Sequence, residues 1–309
     1  MQLHRYRFRL HTLGPVRFPA FPGPALRGAI GDQRDLYAAL LRPSATLPQK
    51  RFGDPPRPFV LRPRFDAGDY GAGSALELDV TLAGSAAAHF PTLLRGLARV
   101  GEQGVGADRH VAPDAGRFRI DRVDAIGPDG CRAVVTPDGW LRPGTLPWRL
   151  PEDLAGPPSA WTGEVTIALR TPTLVRRGDD PRGTLELHGI VEDVVRRISL
   201  LAQAYGGGTV YGRHEELAMT DAAAPAVIED ASVRWVEVPR FSRTQGQPMT
   251  FGGWRGWVRY RGVSAACLPL LRAAELLHAG KHTTFGFGAM EVVMVSPSNT
   301  AEMSSAGPG

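Results

Sequence analysis

The chain has 309 residues, and its content of 43% hydrophobic and 22% charged residues is typical of globular domains rather than of disordered or fibrous proteins. No apolar run approaches the roughly 18 residues of a membrane-spanning helix, and two distant cysteines, Cys131 and Cys267, argue against a disulfide framework or a zinc site. The 36 Lys and Arg residues outnumber the 31 Asp and Glu residues, and this net charge of +5 favours an anionic partner such as nucleic acid.

The first half of the chain alternates between strand-like and helical patterns. Period-2 alternation marks the strands, and apolar residues at helical spacing mark the helices. In chain order, the predicted elements are a strand at 5–13, a helix at 23–41, strands at 57–65 and 75–84, a helix at 86–104 and a strand at 117–126. This β-α-β-β-α-β order is that of a ferredoxin-like unit.

The second half repeats the same order. Its predicted elements are a strand at 164–173, a helix at 188–208, strands at 232–241 and 251–262, a helix at 267–280 and a strand at 285–295. Three glycines end the first of these helices, whose surface is expected to carry the i,i+4 ion pairs Glu192/Arg196 and Asp193/Arg197.

We therefore predict an α+β protein with two tandem ferredoxin-like (RRM-like) βαββαβ domains. The expected boundaries are an N-terminal domain at 1–142, a Pro-rich linker at 143–161, a C-terminal domain at 162–295 and a flexible tail at 296–309. Two four-stranded sheets side by side are expected to leave a cleft that suits an extended ligand.

The stretch "GKHTTFGFG" at 280–288 joins the last helix to the last strand. It holds Lys281, one of only two lysines in the chain, together with His282, Thr283 and Thr284. Glycines allow a backbone to present its N–H groups to an anion, and a lysine and hydroxyls add further donors. The stretch is not a P-loop, because a strand follows it. Two interpretations remain open here, which are a phosphate-binding loop and an ordinary helix-to-strand turn.

Several motifs resemble those of the CRISPR-associated RAMP endoribonucleases, which process precursor CRISPR RNA. The glycine-rich stretch with the following "AMEV" resembles their C-terminal signature, and "FPGPALRGAIG" at 21–31 resembles the L-R-G segment that begins their first helix. Further stretches that fit in order lie at 55–63, 102–123, 165–178 and 235–262. The resemblance covers almost the whole chain, and the family's fold is the pair of ferredoxin-like domains predicted above.

The resemblance implies RNA cleavage without metal or cofactor, by attack of the 2′-OH on the neighbouring phosphate. The implied partners are CRISPR repeat RNA and mature crRNA, with other CRISPR effector subunits as further candidates and no membrane. The alternating N-terminus is not typical of a signal peptide, so we expect a cytoplasmic location. Two departures stand out. No cysteine cluster follows the L-R-G segment, and no histidine lies between Gly23 and Lys50, where several relatives keep a general acid–base.

The candidate catalytic residues are Tyr37, Arg34 and His282. Tyr37 and Arg34 lie on the first helix, where relatives keep active-site groups, and a tyrosine hydroxyl can donate a proton while an arginine neutralises a phosphorane. His282 lies beside Lys281, and histidine titrates near neutral pH. Alternatively, Tyr37 packs in the core and Arg34 and His282 are solvated surface residues. His11 and His278 are the next candidates.

Arginines and loop residues are the candidate RNA contacts, because such groups position phosphates and sugars while aromatic rings stack on bases. These candidates are Arg27, Arg240, Arg243, Arg255, Gly280, Lys281, Thr283, Thr284, Phe285 and Gly286. Besides the endoribonuclease, two other functions stay open. One is a non-catalytic RAMP-type subunit that holds crRNA, which the missing helix histidine favours. The other is a binder of small phosphorylated molecules, which the expected cleft and the net positive charge disfavour.

Overall fold

Two antiparallel sheets with the same strand order organise the chain. The computed structural model describes residues 1–42, 56–136, 146–154, 156–157, 161–242 and 246–294. The strands are β1 Gln2–Thr12, β2 Val16–Phe18, β3 Phe59–Pro63, β4 Gly68–Tyr70, β5 Ala75–Ala83, β6 Phe118–Gly127, β7 Gly130–Val135, β8 Trp148–Arg149, β9 Val165–Thr173, β10 Val227–Ser242, β11 Gln247–Arg261 and β12 Met290–Met294. The helices are α1 Gly23–Asp32, α2 Arg34–Leu36, α3 Phe90–Gln103, α4 Leu187–Tyr205, α5 Arg213–Asp221 and α6 Leu268–Leu277.

The strand order identifies both halves as ferredoxin-like. The first sheet runs β3-β5-β1-β6-β7, with β8 also paired to β1, and the second runs β10-β11-β9-β12. In both, the first strand of the βαββαβ unit lies between its third and fourth strands, and the second strand is at an edge. The predicted α+β fold of two tandem ferredoxin-like units is confirmed.

Side chains alternate along the strands between a core face and a polar face. In β1, Tyr6, Phe8 and Leu10 are buried against α1 and α3, whereas Arg5 and Arg7 lie on the opposite face of the sheet. The second sheet packs β9, β11 and β12 against α4 and α6 in the same way. Because strand side chains alternate between faces, each sheet has one face covered by helices, and in β1 the other face carries polar side chains.

The predicted helix at 23–41 is broken. Gln33 has an extended backbone, with ψ of 108°, and separates α1 from α2, which continues into a π-helical turn at Tyr37–Leu41. The buried Gln33 amide donates to the Gln103 side chain at 2.7 Å, so a tertiary hydrogen bond accompanies the break. The strands β2, β4 and β8 were not predicted, because two or three residues are too few for a periodic pattern to develop. The strand β7 and the helix α5 were not predicted either.

The expected linker and tail are only partly described. Within 143–161, Trp148–Arg149 forms β8 and pairs with the start of β1, so this part of the segment adds to the first sheet. The tail at 296–309 lies outside the described residues. Among the helices that the structure describes, none combines the length and apolar composition needed to cross a membrane.

Candidate nucleic-acid interface

The glycine-rich loop lies where the two halves meet. It contains a short 3-10 turn at Thr283–Phe285, and its backbone takes positive φ at Gly280 (82°), His282 (63°), Gly286 (84°) and Gly288 (76°). Glycine adopts such angles without strain, whereas a histidine does so only when its surroundings hold it there. The loop is therefore a defined turn rather than a free linker.

The amide N–H groups of this loop point into the protein. Gly280 N donates to the Asp193 carboxylate at 2.6 Å, Lys281 N to the Leu174 carbonyl at 2.9 Å and Gly288 N to the Pro172 carbonyl at 2.9 Å. Phe285 N and Gly286 N close the 3-10 turn. The predicted outward-facing anion nest is thus wrong at these positions, because their donors satisfy the protein's own acceptors.

Two glycines permit close packing between the halves rather than close approach of a ligand. A Cβ on Gly286 would lie 2.9 Å from Pro63 of β3. A Cβ on Gly23, at the start of α1, would lie 1.8 Å from the Phe285 carbonyl oxygen. The loop of the second half is therefore seated directly on α1 and β3 of the first half.

A stack of aromatic rings and guanidinium groups covers the outer side of the loop. The His282 ring lies parallel to Phe251 of β11, with 3.7 Å between ring centroids. The Arg240 guanidinium lies 4.9 Å from the ring centroids of both Phe251 and Phe285, and that of Arg27 lies 5.1 Å from Phe285. Cation–π contacts of this kind hold guanidinium groups in place without neutralising their charge.

The cations around this stack lack acidic partners. Among the described residues, no carboxylate lies within ion-pair distance of the following five cations: Arg27, Arg57, Arg176, Arg240 and Lys281. Arg57 and Arg240 lower the pKa of Arg27. Arg240, Lys281 and Arg176 lower the pKa of His282. These overlapping effects show that the five cations form one cluster. We call these five residues the open cation cluster.

Arginines on the polar face of the first sheet, by contrast, have carboxylate partners. Arg5 and Arg7 bind the buried Asp79 at 2.6 and 2.8 Å, and Arg122 binds Asp124 at 2.6 Å. Each of these arginines has a carboxylate partner within the sheet, whereas the cations of the open cation cluster have none among the described residues and are available to an external anion.

Burial and neighbouring cations shift the pKa of Arg27 in the cluster and of His282 beside it. Burial, followed by the charges of Arg240, Lys281 and Arg176, lowers the pKa of His282 to about 4. Burial, followed by Arg57 and Arg240, lowers the pKa of Arg27 to about 10, which Tyr37 partly opposes. At neutral pH, His282 is therefore uncharged and Arg27 remains a cation.

His278 has a structural role. It is 1% exposed, and its Nδ1 lies 2.8 Å from the Phe287 carbonyl oxygen. Because that oxygen only accepts, Nδ1 carries the proton of a neutral ring. Burial and the nearby Arg62 and Arg197 keep the pKa of His278 well below its usual value.

The predicted catalytic residues are only partly brought together. His282 lies beside the open cation cluster, and Tyr37, which is 44% exposed rather than packed in the core, lies near Arg27. Arg34 is exposed on α2, and no contact in the described chain joins it to the loop. His11 lies on β1 beside Asp121, with 3.7 Å between Nδ1 and Oδ2.

The predicted RNA contacts also divide. Arg27, Arg240, Lys281 and Phe285 lie together around the loop. Arg255 instead binds Asp66 at 2.9 Å, and the buried Thr283 accepts a hydrogen bond from Arg197 at 2.6 Å. Thr284 is partly exposed on the turn, and Arg243 lies outside the described residues.

Sequence reasoning missed Arg57, Arg176 and Phe251. Arg57 and Arg176 do lie in stretches that carry the family resemblance, at 55–63 and 165–178, but no periodicity marks them as neighbours of the loop. In the described chain, no group of three or more His, Cys, Asp or Glu side chains is arranged to hold a metal ion.

Two family models match separate parts of the chain. A model described as the CRISPR-associated endoribonuclease Cas6 matches residues 167–290, and a model described as an N-terminal domain matches residues 32–145. No curated protein matches the chain.

Solved structures share the fold at low sequence identity. Thermus thermophilus Cas6 superposes with a TM-score of 0.55 at 19% identity, covering 94% of this chain and 98% of that one. A Cas6 product complex gives a TM-score of 0.57 at 18% identity, with 94% and 99% covered. A partial Cas6-RT-Cas1–Cas2 complex gives 0.59 at 11%, with 95% and 46% covered. The predicted resemblance to CRISPR-associated endoribonucleases is thus confirmed for the second half by the Cas6 family model, and the solved Cas6 structures share the fold of almost the whole chain.

Proposed function

We propose that this protein is a metal-independent endoribonuclease that cuts precursor CRISPR RNA within the repeat and retains the product. The observation that carries the proposal is the open cation cluster, which lies at the junction of the two halves beside a neutral histidine. A phosphate bound there would meet several cations without displacing a carboxylate. Solved structures of similar fold are described as Cas6 product and substrate-mimic complexes, which supports repeat RNA as the ligand.

The proposed reaction forms a bond between the 2′ oxygen and the phosphorus and breaks the bond to the 5′ oxygen. The 2′-OH gives up a proton, the 5′ oxygen gains one, and the products are a 2′,3′-cyclic phosphate and a 5′-OH. Charge builds up on the phosphorane, where Arg27, Arg240 and Lys281 stabilise it. Arg34 remains a candidate for the same role if RNA binding draws it towards the cluster.

His282 suits the base role better than the acid role before RNA binds. With a pKa of about 4, its ring has a free lone pair at neutral pH, and only about one molecule in a thousand is protonated at pH 7. A bound phosphate would raise this pKa, because a nearby anion favours the imidazolium. The exposed Tyr37 hydroxyl is the proposed donor to the leaving 5′ oxygen.

The test is cleavage of a repeat hairpin in EDTA under single-turnover conditions. We expect one cut that leaves a cyclic phosphate, and no cut when the attacking 2′-OH is replaced by hydrogen. At least one of the variants Tyr37→Phe, Arg34→Ala and His282→Ala should lose on the order of 10²-fold in rate, with little change in RNA affinity. Strict dependence on added Mg²⁺ would refute the mechanism, and three variants with the wild-type rate would refute the site.

A non-catalytic RAMP-type subunit that holds crRNA is the second candidate. The absence of a histidine between Gly23 and Lys50 favours it, as does the low pKa of His282, which weakens this ring as a proton acceptor. Tight, repeat-specific binding without cutting would support this function. Co-purification with other effector subunits would then identify the complex that the protein serves.

A further inference from the structure

One face of α4 holds the loop at two points. Asp193 and Arg197 are four residues apart and therefore lie on the same side of the helix. The Asp193 carboxylate accepts the Gly280 N–H at 2.6 Å, and the Arg197 guanidinium donates to the Thr283 hydroxyl at 2.6 Å. Between these two anchor points lie only Lys281 and His282.

These contacts differ from the surface ion pairs expected for this helix. Arg196, not Arg197, pairs with Asp193, at 2.6 Å, so the predicted pairs Glu192/Arg196 and Asp193/Arg197 are not formed as such. Arg197 turns inward instead, and its partner Thr283 is buried. Burial of a cation is unfavourable unless hydrogen bonds compensate. We therefore expect the inward-turned Arg197 guanidinium to have a structural role.

The two residues that the anchors enclose need such support. His282 takes a left-handed backbone conformation, with φ of 63° and ψ of 26°, which is costly for any residue with a Cβ. Local bonds from Phe285 N and Phe287 N to the His282 carbonyl support that conformation, and the two anchors fix the residues on either side of it. In it, the His282 ring stacks on Phe251 and Lys281 is exposed beside it.

We propose that Asp193 and Arg197 are positioning residues that hold Lys281 and His282 towards the RNA phosphate without contacting RNA themselves. This inference rests on the proposed function. Releasing either anchor lets the His282 backbone relax towards ordinary φ values and moves its ring off Phe251. A displacement of about 1 Å at a reacting group can cost on the order of 10²-fold in rate.

The variants are chosen to keep the packing. Thr283→Val removes the hydroxyl at nearly constant volume, and Arg197→Met removes the donor while retaining an apolar stem. Arg197→Lys is the conservative variant, because an ammonium can still donate to Thr283. Glu192→Gln is the matched control on the same helix. The Glu192 side chain is exposed and takes part in neither anchor bond.

The readouts separate positioning from general destabilisation. We expect Thr283→Val and Arg197→Met each to slow single-turnover cleavage at saturating RNA by about tenfold or more, with affinity nearly unchanged. The double variant should be no slower than the slower single variant, since both remove one contact. Arg197→Lys should recover part of the rate, and Glu192→Gln should match the wild type. Melting temperatures identify any variant that is simply unfolded.

A second readout does not depend on cleavage. The pKa of His282, followed by NMR of the imidazole protons, should rise from about 4 towards its ordinary value in Thr283→Val and Arg197→Met, because the ring leaves its buried position. Unchanged rates and an unchanged His282 pKa in both variants would overturn the inference while the proposed function stood. If the wild type fails to cut RNA, the proposed function fails, and the His282 titration still decides whether the anchors hold the loop.

Discussion

Whether an arginine or lysine can serve an anionic ligand depends on whether a carboxylate already balances its charge. Arg7 and Arg27 both lie in the first half, yet Arg7 binds Asp79 whereas Arg27 lies against the Phe285 ring, near Tyr37 and other cations, with no carboxylate partner among the described residues. Motif resemblance predicted Arg27, Arg240 and Lys281 as RNA contacts, and the structure places them together around the loop. It also pointed to Arg255, which forms an ion pair with Asp66. Pairing depends on long-range contacts, so the sequence alone does not reveal it.

Lys281 tests the role of a single unpaired cation. Since Lys281→Ala removes an exposed charge and its backbone amide still bonds Leu174, we expect weaker RNA binding with little loss of stability. The slope of log K against log salt should fall by roughly 0.7 for one lost single-strand phosphate contact. Arg117→Ala is the control, because Arg117 pairs with Asp114 on a surface loop. Equal slopes for Lys281→Ala and the wild type would show that Lys281 contacts no phosphate.

Local elements were predictable where periodicity extends over several residues. Alternation located β1, β5 and β6, and helical spacing located α3, α4 and α6. The break at Gln33 was not predictable, because it accompanies a side-chain contact with a helix far along the chain. For the glycine-rich loop, composition indicated that something approaches the backbone closely. It did not indicate that the approaching groups are Pro63 and the start of α1 rather than phosphate.

The contact between α1 and the loop predicts that a side chain at Gly23 destabilises the protein. Gly23→Ala places a methyl group against the Phe285 carbonyl oxygen, and such overpacking costs about 1–3 kcal/mol. We expect a lower melting temperature and, because the loop shifts, weaker RNA binding. Gly71→Ala is the matched control, since a Cβ there meets nothing within 4 Å. Equal melting temperatures for the two variants would mean that the loop does not rest on α1.

At the scale of the whole molecule, polar contacts join the two halves as well as glycine packing. Arg62 on β3 binds Glu291 on β12 at 2.5 Å, and Arg170 on β9 binds the same carboxylate at 2.7 Å. The order of strands within each half followed from the pattern of elements. The arrangement of the halves did not, because it depends on pairs such as this one, which joins residues 229 positions apart.

Glu291 makes this junction sensitive to acid. Burial alone would raise its pKa, but the bonds from Arg62 and Arg170 outweigh burial and hold the pKa below its ordinary value. Such a carboxylate stabilises the fold above its unfolded-state pKa and loses this contribution as pH falls through the lower folded value. Glu291→Gln should lower the melting temperature at pH 7 by roughly 2–4 °C for each kcal/mol lost.

The difference in melting temperature between Glu291→Gln and the wild type should shrink below about pH 4.5, which is close to the ordinary pKa of a glutamate. Glu186→Gln is the control, because it removes an exposed ion pair with Arg177, and exposed pairs contribute little. A difference that stayed constant down to pH 3 would contradict the assignment of the ionised carboxylate to the junction.

The seating of the loop on α1 has a consequence for biosynthesis. The ribosome makes α1 early and the loop late, and N-terminal domains generally fold first as the chain emerges. A nascent chain would therefore carry a folded first half with Arg27 in place but without Lys281, His282 or the Phe285 ring. The interface is completed only when the second half docks, so we expect an incomplete chain to bind RNA more weakly than the finished protein.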